Sequence, residues 1–269
     1  MVEIKDLEDP RIAFYRSLRY TPISHIKAKV FIAEGEKVVV RLFRSALKIH
    51  SIFAILDFYE RYKDLIDEKM VPENCKYYSD IKLMEQIVGF HLHSGVMAIG
   101  YKPDNLDLAA LSPTIVALNG VNNSENVGQI ARICRAFGVD SLISDEHSTS
   151  PFLRRAVRVS MGNVFYLKIR ETDNLIKDLI FLKSKGYQVV SFELTESSSN
   201  LFNFNIPSNA VLVFGNEDKG VSSEVLNISD SVVQIPIQKG VDSLNVAVAS
   251  AVALYELYRQ KWYKNVVNG

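Results

Sequence analysis

Three polar segments of this chain combine residue types suited to ligand binding and chemistry. The first, residues 119–138, reads NGVNNSENVGQIARICRAFG and contains Asn126, Gly128 and Arg132. An asparagine side chain caps a helix or contacts a ligand, and a glycine allows close backbone approach. Arg132 lies six residues beyond Asn126, which is about 600° of helical rotation, so within one helix the two side chains point to different faces. A capped helix with a solvated arginine explains this segment alone equally well.

The second segment, residues 213–226, reads VFGNEDKGVSSEVL and predicts a strand, a polar loop and a helix. Gly215 and Gly220 have the spacing of the outer glycines of a P-loop, but Val221 occupies the position of the phosphate-binding lysine. This substitution argues against a nucleotide hydrolase, whereas the loop backbone can still approach an adenosine-type ligand. Glu217 is either a functional carboxylate or an ordinary exposed loop acid.

The third segment, residues 232–263, predicts a strand, a loop and a long helix that begins at Leu244. Asp242, Ser243 and Asn245 surround the helix start, where capping residues are expected in any case. Capping and function are compatible for Ser243 and Asn245. The alanine- and valine-rich positions that follow are assigned to core packing.

Regular secondary structure must position these segments. After Pro113, apolar strands are predicted at residues 114–118, 141–144, 164–169, 187–192, 210–215 and 232–237. Helical stretches separate most of them, and Ser150-Pro151 has the residue types of a helix start. This alternation predicts a parallel α/β sheet covered on both faces. Such sheets bind ligands at the carboxyl ends of their strands, and the polar part of each of the three segments falls just after such an end.

The first hundred residues show a different, mixed pattern. A helix followed by a buried strand is predicted within residues 34–56, a helix over 59–70 and a strand over 96–99. Residues 102–113 contain two prolines and interrupt regular structure. We therefore predict two domains, a small α/β domain at 1–105 and a parallel-sheet domain at 112–269.

Composition limits the function classes. The 269 residues contain 31 Lys and Arg and 31 Asp and Glu, so a local basic face would have to supply any contact with RNA phosphates. Cys75 and Cys134 are too far apart in sequence for a thiolate metal motif, and the histidines, including His91 and His93, form no metal-ligand pattern. We expect no metal. The acidic N-terminus and the lack of a long apolar run predict a cytoplasmic protein without a membrane partner.

Together, and in this order, the three segments resemble the motifs of SpoU/TrmH-type RNA 2′-O-ribose methyltransferases, a class of the SPOUT superfamily. The matching residues are 126–128, 132 and 136–138 for motif one, 214–220 for motif two, and 235–237 with 242–247 for motif three. Members often carry Asp-Pro before the motif-one asparagine, where this chain has Asn123-Ser124.

The resemblance implies a fold, a cofactor and a set of site residues. The fold is a C-terminal α/β domain with a deep trefoil knot, preceded by a small α/β substrate-binding domain, and the active sites lie at the interface of a homodimer. The implied cofactor is S-adenosylmethionine, held by Gly215, Asn216, Gly220, Ile235, Ile237 and Leu244. The implied catalytic residues are Arg132, Asn126, Glu217, Ser243 and Asn245. Because a guanidinium stays protonated, we expect Arg132 to position the target phosphate and ribose rather than remove a proton.

A ribose 2′-hydroxyl target makes structured RNA the expected substrate, and the N-terminal extension favours rRNA over tRNA by analogy. Two stretches without acidic residues are predicted to contact RNA or, alternatively, to form solvated faces. Their selected residues are Arg154, Arg155 and Arg158 in one stretch, and Arg16, Arg19 and Lys27 in the other. The alternative function is a non-catalytic RNA-binding protein that retains the knotted fold.

Overall fold

The chain divides into two units. A computed structural model describes residues 1–16, 18 and 22–267, and it describes the side chains of the last helix as far as residue 263. The first unit comprises Met1–Asp104 and Phe152–Phe165, and the second comprises Asn105–Pro151 and Tyr166–Gly269. The chain thus first passes between units within the segment that the sequence predicts as a boundary. Residues 152–165, which the sequence assigns to the second domain, pack with the first unit instead.

Strands and helices alternate along most of the chain. The strands are β1 (Val2–Glu3), β2 (Val30–Glu34), β3 (Ile49–Ala54), β4 (Lys76–Tyr78), β5 (Val96–Tyr101), β6 (Thr114–Asn119), β7 (Ser141–Ser144), β8 (Lys168–Glu171), β9 (Gln188–Phe192), β10 (Ser199–Asn200), β11 (Ala210–Gly215) and β12 (Ser231–Gln234). The α-helices are α1 (Ile23–Lys27), α2 (Glu36–Arg44), α3 (Leu56–Arg61), α4 (Lys63–Glu68), α5 (Ile81–Val88), α6 (Ser124–Ala136), α7 (Arg154–Val159), α8 (Leu175–Ser184), α9 (Ser223–Ile228) and α10 (Val246–Val267).

The first unit is built on a five-stranded mixed sheet in the order β1-β4-β3-β5-β2. Its core contains Tyr15, Phe53, Met84 and Met97, all fully buried. The predicted helix and buried strand are α2 and β3, and the predicted strand near residue 96 is β5. The predicted helix over 59–70 is two helices, because the backbone at Tyr62 leaves the helical region with φ −118° and ψ 24°.

The segment Phe152–Phe165 packs against β2, the edge strand of the first unit's sheet. The rings of Phe152 and Phe165 each lie 5.3 Å from the ring of Phe31 on β2. Burial of this aromatic surface stabilises the contact. This packing explains why the segment belongs to the first unit although the sequence places it within the second domain.

The second unit contains a seven-stranded parallel sheet in the order β10-β12-β9-β11-β6-β7-β8. The predicted parallel α/β class is confirmed. Some predicted bounds are wrong. Residues 163–166 form a 3₁₀ turn before β8, and α7 begins three residues after Pro151. Strand β12 ends at Gln234, before Pro236, which has no N–H to donate to a neighbouring strand.

Among the residues that the structure describes, none of the helices combines the length and apolar character needed to cross a bilayer.

Candidate cofactor pocket and active site

A cavity of about 390 Å³ opens at the carboxyl ends of β9, β11 and β12. Its volume lies within the range typical of small-molecule sites, and its position is the one at which open parallel sheets bind ligands. The structure brings all the predicted cofactor-contacting residues to its wall: Gly215, Asn216, Gly220, Ile235, Ile237 and Leu244. Motifs two and three therefore enclose one space.

The loop after β11 closes tightly on itself. The N–H of Asn216 donates to the carbonyl of Gly220 at 3.0 Å, and the N–H of Gly220 donates back at 2.9 Å. A Cβ added to Gly215 would lie 2.2 Å from the carbonyl carbon of Gly220, so a side chain at 215 would push the loop ends apart. The amide of Asn216 donates to the carbonyl of Gly120 at 2.7 Å, which attaches the loop to the end of β6.

Three predicted catalytic residues, one from each motif, join in a single hydrogen-bonded cluster. The Asn126 amide donates to the carboxylate of Glu217, and the Asn245 amide donates to Oδ1 of Asn126 at 3.1 Å. Asn245 also accepts from the N–H of Ala247 at 2.9 Å and thereby caps α10, which begins at Val246, two residues after the predicted start at Leu244. Asn126 is buried, with 5% of its surface exposed. We call these three residues the Asn126–Glu217–Asn245 cluster.

Asn126 lies inside α6, and Asn123 provides the cap by accepting from the N–H of Glu125 at 2.8 Å. Arg132 is exposed on a different face of the same helix, as the helical rotation between the two residues predicts. Within one chain, Arg132 is therefore not part of the cluster. Ser243 lines the cavity. Cys134 is fully buried, and burial raises the pKa of its thiol to about 12. It is therefore a core residue.

Two carboxylates that lie outside the predicted motifs support the loops beside the cavity, Asp145 the loop after β6 and Glu193 the loop after β11. Asp145 follows β7 and accepts from the N–H of Gly120 at 3.0 Å. Glu193 follows β9 and accepts from the N–H of Val221 at 2.7 Å. Both stand immediately after a buried parallel strand, which is the sequence signal that would have identified them.

The charged residues in the cavity wall are mainly acidic. Glu193, Glu217, Asp218 and Asp242 line the cavity together with Lys219, which is four carboxylates against one ammonium group. Phe192 and Phe214 add apolar surface and stack on each other with ring centroids 4.9 Å apart. This combination suits a ligand with an apolar ring and positive charge, and it opposes a triphosphate.

Several basic residues predicted to contact RNA make internal contacts. Arg154 pairs with the buried carboxylate of Glu34 at 2.6 Å and lies 4.4 Å from the ring centre of Phe90. Arg158 contacts the same carboxylate at 3.4 Å. Their stretch contains no acid, but the fold brings one from β2.

The other predicted RNA contacts lie in different surroundings. Arg16 pairs with Glu8 at 2.9 Å. Arg155 and Lys27 are exposed. Arg19 lies outside the described residues. RNA contact by this set of residues stays a prediction.

Comparison with known proteins places the chain in a family. The sequence profile of the SpoU rRNA methylase family matches residues 113–255, more than half of the chain. The chain belongs to the SpoU rRNA methylase family. The resemblance inferred from the three motifs is thereby confirmed.

Similar proteins match between about half and nearly all of the chain. A Mycobacterium bovis protein named uncharacterized tRNA/rRNA methyltransferase is 32% identical over 96% of this chain and 91% of its own length. The tRNA (guanosine(18)-2′-O)-methyltransferase of Aquifex aeolicus is 34% identical over 56% of this chain and 72% of its own. The AdoMet-bound rRNA methyltransferase from Sinorhizobium meliloti superposes with a TM-score of 0.83 at 25% identity, covering 96% of this chain and 97% of that one.

Proposed function

We propose that this SpoU-family protein transfers a methyl group from S-adenosylmethionine to a ribose 2′-hydroxyl of RNA. The observation that carries the proposal is one cavity at the strand ends whose wall includes Glu217, itself hydrogen-bonded to Asn126 of the Asn126–Glu217–Asn245 cluster. A structural neighbour described as AdoMet-bound and a relative named as a 2′-O-methyltransferase support the assignment.

The cavity residues fit this cofactor. Phe192, Phe214, Ile235 and Leu244 offer apolar surface for the adenine, and the backbone of the loop from Gly215 onward offers polar groups beside it. S-adenosylmethionine carries a sulfonium and an ammonium group against one carboxylate, so the excess of wall carboxylates favours it electrostatically. When bound, it supplies an electrophilic methyl group.

The chain's own residues align the acceptor with that methyl group, because methyl transfer is mainly a positioning task. The cluster fixes Glu217 against α6 and the start of α10. Arg132 binds the phosphate beside the target ribose through paired N–H donors. The proton of the 2′-hydroxyl leaves to water or to a phosphate oxygen.

The active form in this proposal is a homodimer in which Arg132 of one copy serves the cavity of the other. Arg132 is exposed and faces away from Asn126 on α6. Because it therefore does not join the cluster of its own chain, a second copy is needed to place Arg132 beside a cavity. The apolar residues Val248, Val252, Tyr255 and Trp262 are 38–57% exposed on α10 and repeat at the spacing of one helix face. Such a stripe beside α6 fits a second copy with its own α6 and α10.

Complementation tests this shared site. R132A and E217A are each expected to be inactive alone, whereas mixing the two under subunit exchange produces heterodimers with one intact site. Recovered activity in the mixture supports the shared site, and no recovery in verified heterodimers contradicts it. Gel filtration of wild type should give a dimer.

The deep trefoil knot also belongs to the proposal. The loop between β12 and α10 and the loop after β11 line the same cavity, so the chain returns past the motif-two loop before α10 packs against α6. Knots are very rare in proteins. Tracing the backbone by crystallography would test this feature.

The substrate in this proposal is structured RNA, with rRNA preferred to tRNA and the first unit as the substrate-binding domain. The exposed Arg155 and Lys27 are its candidate phosphate contacts. Neutralising either should weaken RNA binding at low salt and reduce its salt dependence.

The first experiment is transfer of label from S-adenosylmethionine into total RNA, followed by mapping of the modified nucleotide. We expect a 2′-O-methyl nucleotide that is absent with R132A. R132K should also lose most activity, because an ammonium cannot make the bidentate contact. R135K, on the same helix, is the matched control. Near-full activity of R132K would contradict the geometric role, and cofactor binding without transfer to any RNA would favour the non-catalytic alternative.

A further inference from the structure

Glu193 places a carboxylate in the cavity wall outside the three motifs. It follows β9 directly, and its Oε2 accepts from the N–H of Val221 at 2.7 Å. Its Oε1 accepts from the N–H of Leu194 at 3.0 Å. A carboxylate has roughly four acceptor positions, so these two bonds leave about half of its capacity for a ligand.

The loop after β11 is shaped around this carboxylate. Gly220 has a φ of +69°, and a Cβ built there would lie 2.2 Å from Oε2 of Glu193. Only a residue without a side chain leaves room for the carboxylate at this place. The loop and Glu193 therefore form one wall of the cavity together.

The sheet order separates Glu193 from the Asn126–Glu217–Asn245 cluster. Strand β11 lies between β9, which precedes Glu193, and β6, which precedes the helix of Asn126. Adjacent strands are about 4.8 Å apart, so the two flanks of the loop are about 10 Å apart. A cofactor whose reacting end lies at the cluster extends its nucleoside toward the β9 side.

We infer that Glu193 accepts hydrogen bonds from the ribose hydroxyls of the adenosyl cofactor. This inference rests on the proposed function. The apolar wall suits the adenine ring, and the adjoining sugar carries hydroxyl donors that match an acceptor-only carboxylate. Acidic side chains take this role on ribose hydroxyls in other parallel-sheet nucleotide sites.

Titration calorimetry with S-adenosylhomocysteine and its 2′-deoxy and 3′-deoxy analogues tests the inference. Wild type should bind at least one deoxy analogue about tenfold more weakly, the loss expected when a hydrogen bond to a charged acceptor is missing. In E193Q, S-adenosylhomocysteine itself should bind about tenfold more weakly, and the discrimination against the deoxy analogue should fall to about twofold. E196Q, which changes an exposed acid of the same connection, should behave as wild type.

The discrimination ratio distinguishes ribose recognition from loop support. If Glu193 only held the loop, E193Q would weaken all three ligands equally, which would overturn the inference. If wild type bound S-adenosylhomocysteine and both deoxy analogues with nearly equal affinity, that result alone would overturn the inference. If wild type methylates RNA but does not discriminate, the inference fails alone, whereas absence of S-adenosylhomocysteine binding and of methyl transfer removes the proposed function as well.

Discussion

The contact between Asn126 and Glu217 allows a charge-swap test of the candidate active site. In N126D, the amide that donates to Glu217 becomes a second carboxylate facing it. In E217Q, a neutral amide replaces the carboxylate and can still present its oxygen to Asn126. The double variant N126D/E217Q restores a donor opposite an acceptor with the polarity reversed, and Asn245 still donates to residue 126.

The burial of Asn126 gives the expected magnitudes. Two like charges 4 Å apart at an effective dielectric constant of about 20 repel by about 4 kcal/mol. Glu217 is only half-buried, so we expect N126D to lower the free energy of unfolding by about 2–3 kcal/mol. E217Q should cost about 1 kcal/mol, the difference between a charged and a neutral acceptor. The double variant should also cost about 1 kcal/mol, which gives a coupling free energy of about 2–3 kcal/mol.

Urea unfolding of the four proteins measures this cycle. One carboxyl of the facing pair in N126D should keep its proton in the folded state, so the deficit of this variant shrinks as the pH falls from about 8 to about 5. Methyl transfer should stay low in the double variant although its fold is restored, because the charge has moved from the cavity wall to α6. A double variant that loses the sum of both single effects would show that the contact does not form in solution.

Three further outcomes follow from the fold. G220A should weaken S-adenosylhomocysteine binding about tenfold or more by calorimetry, since its Cβ would meet a carboxylate oxygen of Glu193 at 2.2 Å. The control G240A, which has a comparable positive φ but open space around its Cβ, should bind normally. Equal binding by the two variants would contradict the steric clash at Gly220. Arg11 lowers the pKa of Asp9 to about 2, below its unfolded value of about 3.9, so D9N should reduce stability above about pH 4 and converge on wild type as the pH falls toward about 2 in acid titrations. Cys134 should resist thiol reagents at about pH 8 until unfolding exposes it, and rapid labelling of the native protein would contradict its burial.

Local patterns in the sequence were sufficient to predict the parallel sheet and the sheet edge at which the candidate site lies. Buried parallel strands read as short apolar runs, and the runs at β6, β7 and β11 match the observed strands to within a residue. The polar residues after β6, β11 and β12 had to meet at one edge, because parallel strands carry their carboxyl ends together. The helix period alone likewise predicted that Asn126 and Arg132 lie on different faces of one helix.

Contacts between distant segments depended on the tertiary structure. The stretch of Arg154 and Arg158 contains no acid, yet the fold supplies Glu34 from β2. Residues 152–165 join the first unit because Phe31 lies where their aromatic rings can be buried. Glu193 lies beside the loop after β11 because the sheet order places β9 next to β11. Sequence periodicity records which faces are buried, whereas the choice of partner depends on strand order and packing, which no local segment encodes.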